Sequence, residues 1–301
     1  MCRICLILGG ILLFSLPVFA QTPARKKDAT DDFTGKQAGE TREITLPGEV
    51  KLKLIWCPPG TFTMGTPGAE DDESPVEVTL TQGFWAAATE TTQGQWTSVM
   101  GATSKPWVEH GNKDYYKVGP NFPATYISHG VNEDGSIEAD SATAFCDKLT
   151  EIERKASRLP SGWKYALPTE AQWEYMCRAG TKTKYSFGDT DTSLVEYAWI
   201  ARNAFYIGEE YAHAVGTKKA NPWGFFDVHG NTWEWCRDGY EDQLPGGLNP
   251  FVPPVGEAYR IYRGGSWFHG AEFCRSANRS FNSPSYSDSF MGFRLATVLV
   301  E

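Results

Sequence analysis

From Glu43 the chain alternates apolar and polar residues through ITLPGEVKLKLIWCPPGTFTMG, and the alternation breaks at Pro58, Pro59 and Gly60. A period of two puts successive side chains on opposite faces of a strand, so this stretch predicts a strand, a turn and a second strand. The acidic run GAEDDESP, Gly68 to Pro75, predicts a solvated loop, and VEVTLTQGFWAAATE after it predicts a further strand. The period then changes. Thr92 and Gln95 have the spacing of a capping box, which opens a short helix through Gln93, Trp96 and Val99 and ends it at Gly101. After Asp140, residues Ala142, Phe145, Leu149 and Ile152 recur at intervals of three and four, the stripe of a half-buried helix. A second capping box, Thr169 and Gln172, opens the helix AQWEYMCRA, which stops at Gly180 and carries Trp173 and Cys177 on one face. Residues 102–137 are rich in turns and show no period, and beyond Tyr185 only short strands fit.

The ends of the chain follow other rules. Residues 1–20, MCRICLILGGILLFSLPVFA, place Arg3 before an apolar run from Ile4 to Val18 and close on Ala20, the pattern of a secretory signal peptide cleaved before Gln21. The run falls short of the ~20 residues of a spanning helix, so a secreted or periplasmic protein with no membrane association after cleavage is expected. Residues 21–42 have no apolar period and are expected to form a flexible linker, leaving 43–301 as one domain.

Composition sharpens the picture. With 11 Trp, 30 Gly and 18 Pro, the chain predicts many turns and short strands around an aromatic core. A net charge of −9 argues against a broad phosphate-binding face, and no nucleic-acid partner is expected. After the leader, Cys57, Cys146, Cys177, Cys236 and Cys274 remain, an odd set that leaves at least one thiol unpaired within the chain. His110, His129, His213, His229 and His269 show no metal-binding spacing, and neither a GxSxG elbow nor a phosphate loop occurs. Arg263, Arg275, Arg279 and Arg294 are read as members of ion pairs.

The densest chemistry lies in NPWGFFDVHGNTWEWCRDGY, residues 221–240. Trp233 and Trp235 are two apart, as neighbours on one strand face are, with Glu234 pointing the other way. Asp227 and Glu234 can then converge, with carbonyls of the intervening turn, as a set of oxygens suited to calcium. An aromatic-rich core turn whose acids face solvent is the other reading.

Four blocks, GTFTMG at 60–65, ALPTEAQWEYMCRAGT at 166–181, NPWGFFDVHGNTWEW at 221–235 and YRGGSW at 262–267 with CRSANRS and MGFRLA behind it, resemble the formylglycine-generating enzyme (sulfatase-modifying factor) family in that order. The resemblance implies an α+β, C-type-lectin-like fold with little regular secondary structure. It implies a structural calcium held by the side chains of Asp227 and Glu234 and the carbonyls of Gly230 and Thr232. A second calcium site of the family precedes this block, near Ala198 to Tyr211, where this chain is shorter and lacks an evident partner acid. Family enzymes that make formylglycine hold copper(I) on two cysteines, four residues apart, just after the GGS motif. Counted from Gly264, His269 and Cys274 fall on those positions; counted back from Arg279, neither does. The thiol pair is absent on either count, and copper is not expected. His269 and Cys274 are the remaining catalytic candidates. The resemblance also implies a Cys177–Cys274 disulfide. The expectation is therefore an exported, calcium-stabilised binding or scaffold module for an envelope protein, peptide or glycan; the other class is an oxidoreductase acting through a different metal site.

Overall fold

A computed structural model describes residues 33–68, 70–131, 135–255 and 258–299. The signal-peptide expectation lies outside the described residues. Three sheets and a few short helices make up the domain. The largest sheet is antiparallel throughout and runs β1 (Thr41–Thr45), β2 (Lys51–Cys57), β5 (Phe84–Ala87), β12 (Ala296–Leu299), β6 (Trp163–Ala166). The first and last strands of the described residues thus lie in one sheet, and that closes the domain. A second sheet has the order β10 (Arg279–Asn282), β9 (Arg260–Arg263), β7 (Trp233–Gly239), β11 (Met291–Gly292), with β11 parallel to β7. The third is β3 (Gly60–Met64), β4 (Val76–Leu80), β8 (Gly247–Leu248). The helices are α1 (Gln93–Met100), α2 (Pro106–Glu109), α3 (Ala142–Lys155), α4 (Glu170–Arg178) and α5 (Leu194–Tyr197).

Both capping boxes form. Thr92 Oγ1 accepts from the Gln95 amide while Gln95 reaches back to the Thr92 amide, and Thr169 with Gln172 does the same for α4. The predicted stripe of α3 buries Ala142, Phe145 and Leu149. Phe145 stacks on Trp96 of α1 at 5.7 Å, which joins the two helices. Every tryptophan except Trp199 and Trp223 is buried, so the aromatic core inferred from composition is present.

Two expectations shift. The stretch VEVTLTQGFWAAATE forms two strands in different sheets, β4 and β5. The break falls at Gly83, where a Cβ would stand 2.2 Å from the Trp56 ring, so only glycine lets the chain pass that indole. The linker also ends earlier than residue 42. Phe33 is buried against Trp163 with ring centroids 5.1 Å apart, its carbonyl accepts from the Trp85 indole at 2.6 Å, and β1 begins at Thr41. Residues 33–42 belong to the domain because one aromatic anchor and a strand edge hold them. Among the described residues no helix is long and apolar enough to cross a membrane.

Candidate functional site

The site is built on β7 and the turn before it. Trp233 and Trp235 share a face, both meeting Tyr262 edge-on at 5.0 and 5.2 Å, and Glu234 points to the opposite side as period two requires. There both its oxygens are engaged. Arg294 donates from Nη2 to Oε1 at 2.7 Å and from Nε to Oε2 at 2.8 Å, and the Trp173 indole donates to Oε2 at 2.7 Å. The same guanidinium reaches the carbonyls of Ala87 and Phe226, which fixes it between two chain segments. Upstream the turn is tight: Asp227 and Asn231 take φ of 60° and 65°, and a Cβ on Gly230 would lie 2.4 Å from the Trp199 carbonyl oxygen.

Asp227 is buried. Its Oδ2 accepts from the Gly216 amide at 2.7 Å, and its Oδ1 has no protein partner. Sequence reasoning missed its neighbour. Glu90, fully buried just before the α1 cap, accepts from Asn231 Nδ2 at 2.8 Å through Oε1 and leaves Oε2 unpartnered. Burial, and after it repulsion from Asp227 and Glu234, pushes the Glu90 carboxyl well above the usual range. Burial raises Asp227 too, against the pull of the Gly216 amide and Arg294. No local pattern betrays Glu90, since its partners lie about 140 positions away.

Three carboxylates thus share one guanidinium, and two buried oxygens lack a donor. A divalent cation beside Asp227 and Glu90 would neutralise that excess, so the residues fit the calcium that the resemblance implies, with a different acid pair. Glu234 serves as the anchor of Arg294. Among the described residues no three His, Cys, Asp or Glu side chains form a metal-holding group, so such an ion would rest partly on carbonyl oxygens, those of Gly230 and Thr232 being the expected ones. The stretch of the family's second site is held differently. Trp199, His213 and Tyr211 stack in sequence at 3.7 and 4.7 Å, with Lys218 over Trp199, and Glu209 is taken by His213 Nε2 at 2.7 Å.

His269 and Cys274 do not form a ligand pair. The Trp233 indole, which can only donate, points at His269 Nδ1 at 3.2 Å, and Ser266 Oγ lies 2.7 Å from the same atom. Nδ1 is therefore the acceptor and Nε2 carries the proton, a donor rather than a metal ligand. Burial lowers the imidazole to about 4, so it is neutral near pH 7. Cys274 is sealed from solvent, its thiol aimed at the Gly270 carbonyl and pushed up by burial, then by Glu272. A copper ion held by this pair does not fit.

The Cys177–Cys274 bond is not formed in the structure, where both are buried thiols, as are Cys57, Cys146 and Cys236. Cys177 Sγ instead faces the Val228 carbonyl at 3.6 Å and the His229 ring at 3.9 Å, while His229 Nδ1 donates to the Cys274 carbonyl at 2.9 Å. Arg263, Arg275, Arg279 and Arg294 do form ion pairs, with Glu174, Glu73, Glu170 and Glu234 respectively.

His229 supplies a pH test. Its Nε2 accepts from the Ser186 amide at 3.0 Å, so the ring is neutral, and burial lowers it to about 4. The unfolded chain takes up this proton near pH 6.5 and the native one only near 4, so the imidazole costs stability as pH falls through that window. Between pH 6.5 and 5 the wild type should lose about 1.6 kcal/mol more than His229→Gln, by urea denaturation. Equal losses would show that His229 protonates in the folded state.

The architecture is that of an α+β protein with a C-type-lectin-like fold. Residues 45–299 match the family described as Sulfatase-modifying factor enzyme 1-like domain, and the chain belongs to that family. It is 26% identical over 307 aligned residues to the formylglycine-generating enzyme of Bos taurus, covering 85% of this chain and 79% of that one. It is 27% identical over 259 residues to hercynine oxygenase of Mycobacterium tuberculosis, covering 78% and 58%. Among solved structures it is similar to Treponema denticola variable protein 1, with a TM-score of 0.69 and 26% identity over 85% of this chain and 98% of that one. It shares the fold of PvdO from Pseudomonas aeruginosa, with a TM-score of 0.67 and 22% identity over 88% and 100%.

Proposed function

We propose that this chain is an exported, calcium-stabilised binding module of the family. The observation that carries the reading is the chemistry after the GGS motif: one thiol, buried and protonated, and one imidazole whose Nδ1 is already an acceptor. The leader-like residues 1–20 support export. Around His269 the surface is aromatic. Phe268 and Phe273 are exposed beside it, and Tyr206 and Ile207 stand exposed next to Phe205, whose ring meets Phe268 at 4.8 Å. Such a face with one N–H donor at its base suits a peptide or glycan of an envelope partner.

The likeness to a formylglycine-generating enzyme and to hercynine oxygenase supports a second reading, an oxidoreductase with a different metal site. One experiment separates them. Reduced, copper-loaded protein is incubated with a sulfatase-type cysteine peptide and oxygen, and the aldehyde is sought by mass and by hydrazine trapping. No aldehyde is expected. Turnover that disappears in His269→Ala and in Cys274→Ser would establish the oxidoreductase instead.

A further inference from the structure

The candidate ion acids and the aromatic face around His269 meet at one residue. Asn231 is fully buried at a φ of 65°, between Gly230 and Thr232, whose carbonyls are the expected ligands. Its side chain belongs to the acids. Nδ2 donates to Glu90 Oε1 at 2.8 Å and to the His213 carbonyl at 3.2 Å, and Oδ1 accepts from the His213 amide at 2.8 Å. Its main chain belongs to the face. The amide donates to the Trp199 carbonyl at 2.8 Å, and the carbonyl accepts from the Trp267 amide at 3.0 Å. Each of these two bonds leads into one half of the aromatic surface. Trp199 opens the segment that carries Phe205, Tyr206 and Ile207, and Trp267 opens the one that carries Phe268, His269 and Phe273. The halves are joined in turn by the Ala201 amide, which donates to the His269 carbonyl at 2.9 Å, and by Phe205 against Phe268. Glu90, by contrast, is held at one end only, since Oε1 takes the Asn231 donor and Oε2 has no partner. Fixing that second oxygen fixes the carboxylate, and with it the amide that Asn231 spends on it.

We infer that Asn231 is a positioning residue that ties the order of the aromatic face to occupancy of the Glu90 and Asp227 site by a divalent cation. This role rests on the reading of the chain as a calcium-stabilised binding module. An ion that orders the turn settles both halves of the face before a partner arrives, so the partner meets a smaller ordering cost. Linkage then makes each ligand strengthen the other by the same factor.

The test is hydrogen exchange of the full chain, read by mass spectrometry on peptides spanning 199–208 and 264–273, in calcium and in chelator. Calcium should slow both at least about tenfold, because their opening releases the ion, and should change the β1 edge strand less than about twofold, because that strand opens without it. Asn231→Gly adopts the same φ and keeps both main-chain bonds but offers Glu90 no donor. It should keep the calcium-induced rise in melting temperature, while the slowing of both peptides falls below about threefold. If that variant does not fold, Asn231→Asp gives the same comparison, since aspartate tolerates this φ and still accepts from the His213 amide but cannot donate to Glu90. A melting temperature raised by calcium with both peptides unchanged would overturn the role and leave the calcium site standing. Slowing that persists in the Asn231 variant would overturn it too. No calcium effect on either readout in the wild type would remove the calcium reading, and this role with it.

Discussion

Arg294→Met is expected to destabilise the domain by about 3–5 kcal/mol, the cost of leaving a buried carboxylate without its partner, and to leave it largely unfolded at 37 °C. The side chain that is lost is fully buried and makes four contacts: both oxygens of Glu234 and the carbonyls of Ala87 and Phe226. Methionine fills the volume but supplies no donor. Glu90, Asp227 and Glu234 would then face one another without a cation, and the Trp173 indole would remain the sole side-chain donor to Glu234. Adding Glu234→Gln should restore a large part of the loss, because a neutral amide removes the uncompensated charge. Urea denaturation of the two single variants and the double variant measures the coupling. A cycle that closes within 0.5 kcal/mol, roughly the limit of additivity for uncoupled sites, would mean that the pair is not an energetic unit.

What the sequence made legible follows the range of the interactions concerned. Local rules were enough for α1, α3 and α4, because a capping box or an apolar stripe is set by residues three or four apart. The opposition of Glu234 to Trp233 and Trp235 was legible for the same reason. The closure of the large sheet was not, because β12 pairs with β5 across about 210 positions and no periodicity records a partner at that distance. Phe33 escaped because a single aromatic in a polar stretch looks like linker until its pocket, formed with Trp163 and the Trp85 indole, is known. Blocks matched to a family singled out Asp227 and Glu234, but they could not disclose that Glu234 is spent on Arg294 or that Glu90 lies beside Asp227. Those facts depend on which side chains the fold brings together, since Glu90 and Arg294 come from segments far from the 221–235 block that holds Asp227 and Glu234.

The same arrangement gives the calcium expectation a signature that a merely structural acid would not share. Calcium at one hundred times its dissociation constant stabilises the native state by about 2.7 kcal/mol. At roughly 2–4 °C per kcal/mol for a domain of this size, the melting temperature should rise by about 5–10 °C, reversibly with a chelator. Glu90→Gln should change sign with conditions. Without calcium it replaces a buried carboxyl, whose Oε2 has no donor, with an amide of the same shape, so the variant should melt at or above the wild type. With calcium it lacks one of the two acids expected to hold the ion and should melt below the wild type. Asp227→Asn should lose the calcium increment too, but it also weakens the acceptor of the Gly216 amide and should melt lower in both conditions. Differential scanning calorimetry of the three proteins, with a chelator and with calcium, reads all six values. A calcium increment that survives in Glu90→Gln would return the ion to Asp227 and the carbonyls alone. No increment in the wild type would mean that Glu90 and Asp227 balance their charge with a shared proton, and that this chain has kept the turn of the calcium site without its ion.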